Sequence, residues 1–221
     1  MKKIIFLGVL AVITLVGLTS CKSCKSNNNE QKNDDSDAEV YHDYDGVVQD
    51  FTAGVANIQA LHHQTMYQVL GVKNFEWRNS KVVFNDTITS ENIDDLHITD
   101  VNDVFYYWDE KTGPWVQFIN TNVKAGLQIE WPINDVWIED RDLNKSEIKL
   151  SAEQALQRLK EVNCPIPPAK GMILRLPLGP VACNPQWVIG DVYNVLFIDA
   201  TTGEVRDSDP AFNPKNSSDL K

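Results

Sequence analysis

The sequence predicts an α+β fold in which helices pack on an antiparallel β-sheet. Two stretches, Val47–Leu70 and Ser151–Val162, place apolar residues at helical spacing. The residues after each change to a period of two, rich in Val, Ile, Phe, Tyr and Trp. Gly, Pro, Asn and Asp punctuate those runs into short strands. The order helix, strands, helix, strands fits two α-β-β-β units in tandem, or one sheet with both helices on one face.

The first 20 residues stand apart from that fold. Lys2 and Lys3 form a basic start, and Ile4 to Leu18 is almost wholly apolar but short for a permanent span. Leu18-Thr19-Ser20-Cys21 follows and resembles a bacterial lipobox. The expectation is a signal peptide over 1–20 and a diacylglycerol and palmitate anchor on Cys21, with lipid held by about 0.8 kcal/mol per buried CH₂. Lys22 in place of an aspartate resembles the pattern for sorting to an outer membrane, on either its periplasmic or its surface face. Residues 21–45 are poor in apolar groups and rich in Asn, Asp, Lys and Ser, which predicts a flexible tether.

An N-terminal α+β unit is expected over 46–145. Val48, Phe51, Val55, Ile58, Leu61, Met66 and Val69 form the apolar stripe of its helix, and Gly71 suits its end. His62 and His63 lie about 100° apart on that helix, so they read as a solvent-facing pair rather than metal ligands. Phe75–Trp77 and Lys81–Phe84 read as strands joined by a turn at Asn79-Ser80, and 87–99 as a polar loop. Val104–Trp108 and Trp115–Ile119 flank a turn and predict a hairpin. Leu127 to Trp131 alternates as a further strand, and Glu139 to Lys149 reads as a charged, solvated connector.

A second unit is expected over 146–208, with a polar tail over 209–221. Ser151 and Gln154 are spaced as a capping box, and Ala152, Ala155, Leu156, Leu159 and Val162 share one face. Asn163 and the run Cys164-Pro165-Ile166-Pro167-Pro168 stop the helix. Met172–Leu176, Trp187–Ile189 and Asn194–Ala200 read as strands. In the last, Leu196, Ile198 and Ala200 face one way, and Val195, Phe197 and Asp199 the other.

The capped helix SAEQALQRLK, followed by strands and the ending Ile198-Asp199-Ala200-Thr201-Thr202-Gly203-Glu204-Val205, resembles a PepSY domain over residues 150–206. The proline-rich stretch Leu176–Pro185 departs from that pattern and points to a divergent, PepSY-like group. The resemblance implies a small α+β module of bacterial envelopes without catalytic residues, of which some restrain secreted peptidases.

The formal charge is −11; without residues 1–21 it is 18 basic against 31 acidic groups, or −13. Such a balance disfavours nucleic acid and anionic lipid surfaces. In an oxidising compartment Cys164 and Cys183 are expected to pair, which would stabilise the fold by about 3 kcal/mol. No GxSxG, HExxH, P-loop or GxGxxG occurs, and no metal or cofactor is expected. Asp94-Asp95 and Asp140 with Asp142 lack the rest of a calcium loop. The six tryptophans form a binding platform if two or three lie on an exposed sheet face.

The expected function is that of a membrane-anchored, non-catalytic envelope lipoprotein that binds another envelope protein, peptidase restraint being one form. Leu176, Leu178, Pro180 and Trp187 are the candidate contact residues. The alternatives are a lipoprotein binding a small apolar or peptide ligand under the first helix, and a hydrolase without a recognised motif, for which His62, His63 and His97 are the available bases.

Overall fold

The computed structural model describes residues 54–191 and 193–212, with the backbone of a strand at His42–Asp43. Residues 1–20, Cys21 and its lipid, the tether apart from that strand, the first turns of the expected 47–70 helix and the tail from 213 lie outside the described residues.

In chain order the elements are β1 (His42–Asp43), α1 (Val55–Gln68), β2 (Glu76–Phe84), β3 (Ile98–Asp109), β4 (Gly113–Asn122), β5 (Gly126–Ile129) and β6 (Asp140–Arg141), then α2 (Ala152–Val162), β7 (Gly171–Pro177), β8 (Gln186–Gly190), β9 (Val195–Asp199) and β10 (Val205–Arg206). Nine strands run across one antiparallel sheet in the order β1-β5-β4-β3-β2-β7-β8-β9-β10, and β6 pairs with β7 off that path. Each helix thus precedes a meander, and the two meanders meet through their first strands. β2 and β7 pair from Asn79↔Arg175 to Val83↔Gly171.

Both helices cover one face. Val55, Ile58 and Met66 of α1 join Ala152, Ala155, Leu156 and Leu159 of α2 in a single core over Val82, Val101, Phe105, Ile119, Met172, Leu174, Ile189 and Ile198. Trp187 is the largest fully buried side chain, and its indole N–H donates to Leu150 O at 2.9 Å, so the ring is buried with its polar atom satisfied. The backbone N–H of Val55, free at the start of α1, donates to Glu153 Oε1 in the first turn of α2 at 3.1 Å, which ties the helices together. Ser151 and Gln154 form the expected capping box. Asn163 ends α2 in the left-handed conformation, φ 53°.

Three expectations change. Asn79-Ser80 is not a turn: β2 runs through it with a bulge between Trp77 and Asn79, so Ser80 faces the core. The buried side of α1 is Val55, Ile58, Gln59, His62, Thr65 and Met66, while Val69 is exposed. The stretch 139–149 is no free connector, because β6 lies within it and Leu143 N donates to Trp77 O.

Gly190 turns β8 into β9 at φ 121°, and a Cβ there would meet Asn194 O at 2.0 Å. Gly126 also has positive φ, 95°, but opens onto free space. Gly126→Ala is therefore expected to cost only the conformational penalty of about 1 kcal/mol, and Gly190→Ala about 3 kcal/mol or more. Equal shifts in urea midpoint for the two variants would contradict the steric account.

Candidate functional site

Polar chemistry concentrates at two places on opposite faces of the sheet. The first is buried under α1. His62 Nδ1 lies 2.7 Å from Asp103 Oδ2 on β3, and Nε2 lies 2.7 Å from Thr121 Oγ1 on β4. A carboxylate only accepts, so Nδ1 carries the proton; in the neutral ring Nε2 then accepts from the Thr121 hydroxyl. Beside it Gln59 Nε2 donates to Ser80 Oγ at 2.9 Å. Carboxylate, imidazole and hydroxyl stand in the order of a hydrolytic triad. Yet His62, Asp103 and Thr121 are all fully buried or nearly so, and no scissile bond could reach Thr121 Oγ1. The arrangement acts as a polar pin between helix and sheet.

His63 is not solvent-facing either. Its ring stacks edge-on to Trp77 and Phe105, with centroids 4.9 and 5.1 Å away, and lies against Phe75. Burial lowers its pKa from 6.5 to about 4, with Lys145 and His62 adding to that and Asp103 opposing it. His97 is exposed on the loop before β3.

The second place lies on the outer face, across the β2–β7 joint. Asp140 is buried there. Its Oδ1 pairs with Arg175 Nε of β7 at 2.6 Å, and its Oδ2 accepts from Asn79 Nδ2 of β2 at 3.0 Å and from Trp137 Nε1 at 3.3 Å. Its carbonyl accepts from Arg78 Nη1 at 2.7 Å, and the Arg78 guanidinium lies over the Tyr106 ring. One aspartate thus holds both central strands. It is neither solvated nor a free acid, contrary to the expected connector. Arg175 Nη2 also donates to Glu139 O at 2.9 Å.

Asp140 anchors one end of a strap, residues 130–140, that crosses this face. The other end is fixed by the paired backbone bonds of Val116 and Ile133, 2.8 Å each way, and by Asn134 Nδ2 donating to Thr112 O and Pro114 O. Midway, the Trp137 ring meets Phe118 edge-on. The strap leaves Trp131 (60 % exposed), Ile133, Val136 and Ile138 (74 %) facing solvent, and Trp108 (65 %) stands on the hairpin that Asn134 holds.

The expected contact residues fare differently. Trp187 is fully buried and Leu176 packs on the core, so neither meets a partner; Leu178 and Pro180 are exposed. Trp77 is also core, and of the six tryptophans only Trp108 and Trp131 are mostly exposed. The Cys164–Cys183 disulfide is not formed, and both are free thiols whose protons burial holds on more tightly. The physical reason is placement. Pro167, three residues after Cys164, lies against Gly190 at one end of β7, while Cys183 lies beside Arg141 at the other. A seven-residue strand spans about 20 Å, against the ~7 Å a disulfide tolerates between Cα atoms. Sequence reading placed His62 toward solvent and missed Asp103 and Thr121, although the burial of all three was readable. His62 is four residues from both Ile58 and Met66, and Asp103 and Thr121 share parity with Val101, Phe105 and Ile119.

Two outcomes follow for the buried groups. His62→Leu strands the Asp103 carboxylate and is expected to cost about 3–5 kcal/mol in urea unfolding, while adding Asp103→Leu and Thr121→Val restores most of it. No recovery in the triple variant would show that the network does more than satisfy itself. His63 has a folded pKa below its unfolded one, so its contribution is whole above pH 6.5 and is lost as pH falls toward 4. The full shift is worth about 3 kcal/mol. His63→Phe is expected to flatten the fall in stability across that window, and parallel curves for the two proteins would exclude the assignment.

No family model matches the chain, and neither does any curated protein or solved structure. The functional reading therefore rests on the chain's own residues.

Proposed function

We propose that the chain is a lipid-anchored, non-catalytic envelope protein of PepSY-like type that binds another envelope protein, with restraint of a secreted peptidase as one form of that binding. The observation that carries this reading is the strap on the outer sheet face. It holds Trp131, Ile133, Val136 and Ile138 exposed on a backbone pinned at both ends. Exposed apolar side chains cost solubility unless something covers them. Pinned ones lose little entropy when it does. The small-ligand alternative is less well supported, since Ile58, His62 and Met66 fill the space beneath α1.

A photo-crosslinking residue in place of Ile138, in the full lipidated protein within its own cell, tests the reading. One stoichiometric envelope protein is expected to crosslink there and not from Tyr193, which is also exposed but stands at the β8–β9 turn, at the end of β7 away from Asp140. The same adduct from both positions, or none from Ile138, would sink it. In the same cells, Cys21→Ser is expected to abolish palmitate labelling and release the protein from the membrane fraction.

A further inference from the structure

We infer that the strap and the adjoining hairpin tip form a docking site for a cationic, apolar segment of the partner protein. This rests on the partner-binding reading above and specifies its chemistry.

The strap reads Glu130-Trp131-Pro132-Ile133-Asn134-Asp135-Val136-Trp137-Ile138-Glu139, and no lysine or arginine occurs between Lys124 and Arg141. Exposed apolar groups thus alternate with carboxylates along one pinned segment. At the tip held by Asn134, Trp108 is followed by Asp109 and Glu110. Among the exposed groups of strap and tip, four carboxylates (Asp109, Glu110, Asp135 and Glu139) stand against the single Lys111. The nearby guanidinium of Arg175 does not offset them, because it is engaged by Asp140 and Glu139 O. Two of the carboxylates are fixed in place. Asp109 Oδ1 accepts from Lys111 N, Thr112 N and the Thr112 hydroxyl, and Asp135 Oδ1 accepts from Val136 N at 2.7 Å.

Charge selects among the occupants. Lysine and arginine complement the carboxylates, and a guanidinium also stacks on exposed indoles such as Trp108 and Trp131. A second copy of the chain would bring the same negative surface to the contact. An anionic membrane is repelled. The chain's own residues 30–45 carry seven carboxylates against Lys32 alone, so they do not complement the strap either.

The test uses the full mature protein in detergent and two labelled probes: an alternating Leu-Lys dodecapeptide and its Leu-Glu counterpart, read by fluorescence anisotropy. The cationic probe is expected to bind and to weaken about tenfold or more between low and high salt. Asp135→Lys with Glu139→Lys is expected to weaken it about tenfold, while Asp86→Lys with Asp95→Lys, the same charge change at the far end of β3, leaves it within about twofold. Equal loss in both double variants would mean attraction to net charge alone and would overturn the proposal. Binding of the Leu-Glu probe with comparable affinity would also overturn it. Crosslinking from Ile138 that persists in the Asp135/Glu139 variant removes the cationic chemistry but leaves partner binding standing. Absence of crosslinking in the native chain removes both.

Discussion

The antiparallel pairing of β2 with β7 is the contact on which the rest of the structure depends. Each helix is followed by a meander of its own, and a meander ending at β2 or β7 would carry an open edge of unpaired N–H and C=O groups. Joining the two first strands removes both edges at once. It also places Val82 against Met172 and Ser80 against Leu174 beneath the helices, so that two half-cores become one. A four-stranded sheet under a single helix buries little. The merged core buries Trp187, Phe105 and two helix faces together, which is the scaling that makes a larger domain easier to stabilise.

The joint explains the two polar clusters, one on each face. Beneath the helices, α1 presents Gln59 and His62 to the sheet, not a continuous apolar ridge. They are answered by Ser80 on β2, Asp103 on β3 and Thr121 on β4. Such partners fix where a helix sits along a sheet more narrowly than apolar contact does, because a shift of one residue leaves a buried carboxylate unpaired. On the outer face, Asp140 takes Asn79 from β2 and Arg175 from β7. The central pairing is therefore closed by backbone bonds in its plane, by the core below and by a charged clamp above.

Much of this was legible in the sequence, and the failures share a cause. The α2 cap, the β3–β4 hairpin and the division of β9 into two faces followed from local rules: a side chain two or three residues from a free N–H, a turn between alternating runs, a period of two. What failed was polarity taken as a sign of exposure. His62, Asp103, Thr121 and Asp140 are polar and buried, each because a partner distant in sequence answers it. His62 recurs with Ile58 and Met66, so its burial could be read, but the identity of its partners could not. The disulfide failed for the matching reason. Cys164 and Cys183 are close in sequence, but β7 runs its full length between them. The bulge at Trp77–Asn79 left no sequence signal apart from the mixed parity around Arg78.

The strap draws part of its order from the joint, and that ties the proposed binding surface to the contact on which the fold depends. Residues 130–139 form no secondary structure beyond one bridge at Ile133. Their position comes from anchors at either end, and the C-terminal anchor is the residue that spans β2 and β7. A surface held in this way can display Trp131, Val136 and Ile138 without the backbone collapsing onto the sheet, since Trp137 already fills the space over Phe118. It also means that opening the joint releases the strap's C-terminal anchor. A partner that binds the ordered strap must then stabilise the β2–β7 pairing by mass action, however far its contacts lie from the core.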